Sequence, residues 1–359
     1  MAFFQRFHLS VQANASAAAR GKRSGLPGLI ASFALALLLA LVISPVPVSA
    51  QGAGPSMDAA ADWLLTLRDE NGAFPGFDGT PDPGVTVDAV TALALAGRTN
   101  DLAPSLAYLE GEALVYAQTG PGSAAKLALM LIVSGQNPRD FATVDPLSIV
   151  EHGAQAGMIG FGPYDHALGL LALAAGGSAI PDAAIEAVWS SQGEEGGWAF
   201  DGATNVGAAD SNTTALMIRA LVATGHGQDD RVGTAASWLA SLLLPEGMPY
   251  QAGGPADANS TSLALRAFDA LGSGGSAGIA FDAVVDALVQ FQNENGSFSW
   301  LLDPRDENVF STVEAIPALA AVAVLVAAPT PGAEGVPASP VASPVASPEA
   351  SPVGLRPAA

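Results

Sequence analysis

The sequence predicts an all-α protein, an α/α toroid of about six helix hairpins with inner and outer helix rings. Three observations predict it: a composition of small apolar residues, a loop pattern that recurs, and two alternating kinds of helix. Half of the 359 residues are hydrophobic and only 13% are charged, enough apolar surface for a sizeable core. Alanine, leucine, glycine and valine dominate, which marks closely packed helices and not a disordered acidic chain.

The loop pattern is a polar residue followed six positions later by an aromatic, with glycine between them. Arg68 leads to Phe74 through Asn71-Gly72-Ala73. Gln192 leads to Trp198 through Gly196-Gly197, and Gln292 leads to Phe298 through Asn295-Gly296-Ser297. Internal repetition at such spacing is the signature of stacked supersecondary units. A second helix of small and aliphatic residues follows each region: 86–96 before Gly97, 213–223 before Gly225, 260–268 towards Gly272. Terminal glycine supplies a left-handed cap. Fainter copies at 127–133 and 167–173 end at Gly135 and Gly176, and a last one runs from 311 to about 326. Six pairs result, roughly 56–97, 98–135, 136–177, 178–225, 226–272 and 273–328.

The first helix of a pair is amphipathic, as in residues 59–68, whereas the second is apolar nearly all round. An amphipathic helix belongs on a surface and an all-apolar one is buried on every side. A closed double ring satisfies both, with the apolar helices inside. An open solenoid is the competing arrangement, but it needs polar terminal repeats, and the six pairs show none.

The stretch from Ser191 to Asp201, with Ala209 to Leu216 after it, resembles the loop motif of the terpenoid-cyclase and protein-prenyltransferase toroids. It is also similar to the α/α barrel of the cobalamin carriers intrinsic factor and transcobalamin. The resemblance covers about 56–328 and implies the fold; activity does not follow from fold. It implies a structural role for Arg68, Phe74, Gln192, Trp198, Gln292 and Phe298, the polar group tying helix ends and the aromatic packing between repeats. Among ligands it implies a corrinoid-like molecule as one candidate, although those carriers close over theirs with a second, β-rich domain and here only a Pro/Ser tail follows.

The family activities lack their residues. No Asp-x-Asp-Asp acid motif occurs, and aromatics, which stabilise carbocations, make up only 6%. The absence of cysteine excludes a disulfide framework, a thiol nucleophile and a prenyltransferase-type zinc site. The four histidines show no metal-binding spacing, and no cofactor is expected. Two loops hold oxygen donors of the kind calcium takes, Asp69, Asn71, Asp78 and Asp82 in one and Asp303, Asp306 and Asn308 in the other. Neither has EF-hand spacing.

A formal charge of −21 argues against nucleic-acid binding, which needs clustered Lys and Arg. Residues 1–50 read as a secretory signal: Arg20, Lys22 and Arg23, an apolar run from Leu29 to Ile43, Pro45 and Pro47, then Val48-Ser49-Ala50. An uncleaved anchor is the alternative, for which the run is short. The first 50 positions hold four basic residues and no acidic one, so cleavage takes the charge to −25. A short leader, 51–55, precedes the toroid domain at 56–328. The Ala-Ser-Pro-Val repeats of 329–359 forbid a helix and offer nothing bulky to bury. The chain is expected to be secreted or extracytoplasmic, with cell-surface association as an option and no stable membrane span once the signal is removed.

The candidate site lies where inner helices begin. Asp88, Asp165, Asp210 and Asp257 are read at or just before those starts. Tyr164 precedes Asp165, Asn212 and Thr213 follow Asp210, and Asn259 and Ser260 follow Asp257. Two readings stay open: helix capping, which Asp, Asn, Ser and Thr favour, and a polar rosette that binds a small ligand at the mouth. His166 either faces that mouth or is a partly exposed neighbour of a capping Asp165. Three function classes follow: a non-catalytic binder of a small polar or amphipathic molecule; an enzyme on this fold, either a degenerate terpenoid cyclase or a glycan hydrolase or lyase; and a structural surface module.

Overall fold

The computed structural model describes residues 57–272 and 281–327. The assignments made for 1–50, 51–55 and 329–359 therefore lie outside the described residues. Among those described, the chain forms twelve α-helices and no strand beyond isolated bridges. The outer helices are α1 (Met57–Thr66), α3 (Ala103–Gln118), α5 (Pro146–Gln155), α7 (Asp182–Ser190), α9 (Asp230–Ser241) and α11 (Phe281–Val289). The inner helices are α2 (Pro83–Leu95), α4 (Pro121–Val133), α6 (Pro163–Ala175), α8 (Ser211–Ala223), α10 (Ala258–Leu271) and α12 (Val309–Ala327).

Local chemistry sets the ends of the inner helices. Pro83, Pro121 and Pro163 open three of them, where a missing N–H costs nothing and φ is preset. Glycine closes α2, α4 and α8: Gly97, Gly135 and Gly225 take φ of 76°, 74° and 83°. The next N–H returns to the helix in each case, Arg98 to Leu93, Gln136 to Leu131 and His226 to Leu221, the six-to-one bond of a Schellman cap. In the third repeat Gly177, and not Gly176, takes the left-handed conformation (φ 67°). The helix ends at Gly176 as predicted, and only the left-handed cap moves one residue on.

Each inner helix packs against the next, and α12 packs against α2, so the inner ring is closed. The outer ring closes by the repeated loop glycine. Gly72, Gly196 and Gly296 share φ near +93°. A Cβ on Gly72 would lie 2.1 Å from the Pro104 carbonyl oxygen of α3, and one on Gly296 would lie 2.3 Å from that of Ala59 in α1. The last repeat therefore seats on the first outer helix as each earlier one seats on its successor. Trp63 Nε1 donates to Glu307 Oε2 across the same seam at 3.4 Å. The core fills the space between the rings with Leu93, Leu127, Leu131, Leu173 and Leu221, all fully buried, each side chain contributing about 1.5–3 kcal/mol by burial.

Candidate functional site: collar and lumen of the inner ring

The inner helices all start at one end of the ring, as contacts between neighbouring starts show. The Ser211 N–H donates to the Tyr250 carbonyl, and the Ala258 N–H to that of Trp300. Ser311 Oγ donates to Asn259 Oδ1 at 2.8 Å. These starts and their loops form a collar around the mouth.

In the collar the predicted acidic residues separate into different roles. Asp210 is 1% exposed and caps α8, accepting from the N–H groups of Thr213 and Phe200, each at 2.8 Å, and from Tyr250. Asp257 caps α10 in the same way, accepting from the Ser260 N–H at 2.8 Å and its hydroxyl at 2.7 Å. Burial lifts both carboxyls to about 6 against the pull of these donors. Tyr250 is pushed well above the ordinary phenol range by burial and by Asp210. Asp165 is the third residue of α6 and accepts from the Phe161 N–H at 3.1 Å. Desolvation raises it too.

Asp88 does not open its helix, and that placement is corrected. The cap of α2 is Asp82, which accepts from the Val85 N–H at 2.9 Å; Asp88 stands six residues further along. His166 is also corrected: it is fully buried, neither at the mouth nor partly exposed. Its Nδ1 accepts from the Ile159 N–H at 3.0 Å and its Nε2 donates to the Ala184 carbonyl at 2.8 Å. Desolvation holds its pKa below the ordinary histidine value.

His166 stands fourth in its helix, where other repeats carry threonine. The hydroxyls of Thr86, Thr214 and Thr312 accept from the N–H of Phe74, Trp198 and Phe298. This register, which the sequence reading did not identify, couples the loop aromatic to the inner helix. The motif residues join it from the other side. Gln192 Nε2 donates to the carbonyls of Gly196 and Arg231, Gln292 Nε2 to that of Gly296, and Arg68 to that of Asp101. Phe74, Trp198 and Phe298 are fully buried. Of the remaining collar residues, Asn212 and Asn259 are half-buried, and the Thr213 hydroxyl is buried beside the Asp210 carboxylate.

Below the collar, a belt of charged side chains pairs between neighbouring inner helices. Lys126 Nζ of α4 lies 2.6 Å from Asp88 Oδ2 of α2, with side chains 30% and 27% exposed. Arg266 of α10 lies 3.3 Å from Glu314 of α12. Desolvation opposes the Lys126 charge, yet Asp88 beside it holds the ammonium above its usual range. Asp88 itself is raised by desolvation, with Glu314 adding to the effect against Lys126. Tyr164 of α6 is raised by burial and feels Glu314, Lys126, Asp88 and Arg266, from four other inner helices. Its hydroxyl and these charges therefore share one interior space.

Arg219 of α8 faces the same space. It makes no hydrogen bond and no ion pair within 4.0 Å among the described residues. Desolvation and the like charge of Arg266 pull it down to about 9. An aromatic rim stands above: Phe77 and Phe161 are 74% and 66% exposed, and the Phe200 ring sits 6.0 Å from that of Tyr164. The oxygen donors considered for calcium are engaged locally. Asp69 and Asp78 accept turn N–H groups, and Asp306 accepts from Ser299, Trp300 and Asn308. Among the described residues no group of three or more His, Asp or Glu is arranged around a metal position.

No family model and no curated protein matches the chain. Solved structures do. The GH76A α-1,6-mannanase from Salegentibacter is 13% identical at a TM-score of 0.57, covering 75% of this chain and 98% of its own. Protein geranylgeranyltransferase-I from Candida albicans, complexed with GGPP, is 9% identical at 0.55, covering 75% and 92%. The type II terpene cyclase MstE from Scytonema is 18% identical at 0.53, covering 75% and 97%. These similarities define the class: the chain has the α/α-toroid fold of terpenoid cyclases and prenyltransferases. At such identities they define the fold and leave the chemistry to the site.

Proposed function

We propose that the chain is an exported, non-catalytic toroid protein that binds a small polar or amphipathic ligand in the lumen, entered between the inner-helix starts. One observation carries this reading: side chains of all six inner helices converge on one interior space, and one of their cations, Arg219, makes no hydrogen bond or ion pair there. Desolvating charge without local satisfaction destabilises a fold, so such a belt is better explained by a ligand than by stability. The collar supports entry and the belt supports recognition, which moves the binding role from Asp210 and Asp257 to the layer beneath them. A neighbouring structure lends support on the same fold: a variant of MstE has been solved in complex with geranylgeranyl dihydroxybenzoate as substrate.

Thermal-shift measurements with corrinoids, glycans and isoprenoids test the reading. A ligand at a hundredfold excess over its Kd is expected to stabilise the native state by about 2.7 kcal/mol. No shift with any class contradicts it. The enzyme alternative has one observation in its favour: Asp88, raised by burial, and Glu314 stand on adjoining inner helices. Glycoside hydrolysis needs two such carboxylates. Each is instead tied to a cation, which occupies carboxylate oxygens that a substrate would need. Mannan hydrolysis abolished by Asp88→Asn and by Glu314→Gln would reverse this preference.

A further inference from the structure

We infer that the collar face of the ring docks a cationic, apolar segment of a partner polypeptide, on a saddle over its second and third repeats. This surface lies outside the lumen, and the inference does not rest on the lumen-binding reading.

Loop length makes the saddle. Four of the loops that lead into inner helices span sixteen to twenty residues, whereas those into α4 (119–120) and α6 (156–162) span two and seven. The collar therefore carries little chain over these two neighbouring repeats. Large apolar side chains stand exposed in and beside the gap. Leu114 and Val115 near the end of α3 are 53% and 65% exposed, Phe161 before α6 is 66% exposed, and Phe77 before α2 is 74% exposed. Glycine lets the parts approach one another. The Phe161 ring lies 3.0 Å from where a Cβ on Gly120 would stand, and the Phe200 carbonyl 2.6 Å from one on Gly162. Tyr116 in the last turn of α3 lies 3.5 Å from one on Gly84 of α2. The end of α3, the Phe161 ring and the loop into α8 thus adjoin across the gap. Exposed apolar surface of this extent, rimmed by polar residues, marks an interaction site.

Charge selects the partner. The two short loops hold no charged residue, while the four long ones hold fourteen acidic and two basic residues. Both basic residues, Arg68 and Arg305, are spent on backbone carbonyls. At the opposite end of the ring the described loops hold four acidic and two basic residues, so the excess belongs to the collar face. Exposed carboxylates stand directly beside the rings, Asp78 after Phe77 and Asp201 after Phe200. A charge-free apolar floor inside a charged rim is the layout of an interface core. The rim attracts cations and repels both anionic lipid and a second copy of this chain, whose net charge is −21. The partner's apolar residues meet Val115 and Phe161, and its lysines or arginines meet Asp78 and Asp201.

Fluorescence anisotropy with three labelled synthetic peptides tests this: one alternating lysine and leucine, one alternating lysine and serine, one alternating glutamate and leucine. The lysine–leucine peptide is expected to bind at least about tenfold tighter than either control. Its affinity is expected to fall severalfold between about 50 and about 300 mM NaCl, as the rim is screened. Phe161→Ser and Val115→Ser, both at exposed positions, are each expected to weaken it about tenfold. Ser237→Ala, on the outer face of α9, is expected to leave it unchanged. Asp78→Asn combined with Asp201→Asn is expected to flatten the salt dependence. Equal binding of the lysine–serine peptide, an affinity unmoved by Phe161→Ser and Val115→Ser, or no binding of the lysine–leucine peptide overturns the docking surface. Flotation with phosphatidylcholine vesicles that Phe161→Ser abolishes would overturn it in favour of a membrane.

Discussion

Asp210 and Asp88 look alike in the sequence, each a lone acid beside an apolar helix, yet they belong to different layers of the ring. In the collar, Asp210 and Asp257 collect N–H and hydroxyl donors from their own turn and the adjoining loop. In the belt, Asp88 pairs with Lys126 and Arg266 with Glu314 only between neighbouring inner helices, and Arg219 makes no hydrogen bond or ion pair among the described residues. The difference teaches how to sort polar groups in a buried helix. Those satisfied locally serve the fold, and those satisfied only at a distance, or not at all, report on the space they face.

Substitutions can break or sharpen that contrast. The largest effect belongs to the seam that holds both layers in register. Gly296→Ala places a Cβ against the Ala59 carbonyl at a φ of +94°, and is expected to cost about 3–5 kcal/mol in denaturant unfolding. An effect below about 1 kcal/mol would mean that the rings do not close there.

The collar is next, through pH. The folded-state pKa of Asp210, about 6, exceeds the roughly 3.9 of an unfolded chain, so the native state holds this proton longer. Its stabilising contribution is complete below about pH 4 and is lost as pH rises through about 6. Asp210→Asn keeps a capping acceptor and abolishes the titration. The variant is expected to lose on the order of 2–3 kcal/mol of the pH 4-to-7 decline in unfolding free energy. An unchanged profile would place the carboxylate in water.

A smaller effect is expected in the belt. Lys126→Met leaves Asp88 without its partner, but both side chains keep nearly a third of their exposure. The cost by thermal unfolding is expected to be roughly 1–2 kcal/mol, below that of a fully buried pair. The smallest belongs to His166→Thr, which installs the residue other repeats use. Threonine retains an acceptor for the Ile159 N–H and gives up the bond to the Ala184 carbonyl, for about 1 kcal/mol near pH 7. As the folded pKa of His166 is depressed, its contribution is present above about pH 6.5 and is lost as pH falls through the folded value. The variant should therefore be less sensitive to acid than the wild type.

Much of the fold was legible because it is written locally. The glycine that ends each inner helix, and the six-residue step from Arg68, Gln192 or Gln292 to its aromatic, are short-range patterns, and the six hairpins follow from them. The site was less legible. Asp88 read as a helix opener because the run after it is apolar, although Asp82 followed by Pro83 is the stronger start signal. The belt left a trace that went unused: α2, α4, α8 and α12 each carry a single charged residue within an otherwise apolar helix. Which of those charges meet is a matter of ring geometry, and no local pattern encodes it. Thr86, Thr214 and Thr312 were hidden for a similar reason, since their partners lie a whole loop away.

The most direct test is a crystal structure of the protein grown with whichever corrinoid, glycan or isoprenoid raises its Tm most. Electron density for the ligand inside the inner ring, in contact with Tyr164 and Arg219, is the result expected. Density confined to the collar carboxylates or to the outer wall, with the lumen holding only water, would contradict the assignment of function to the belt.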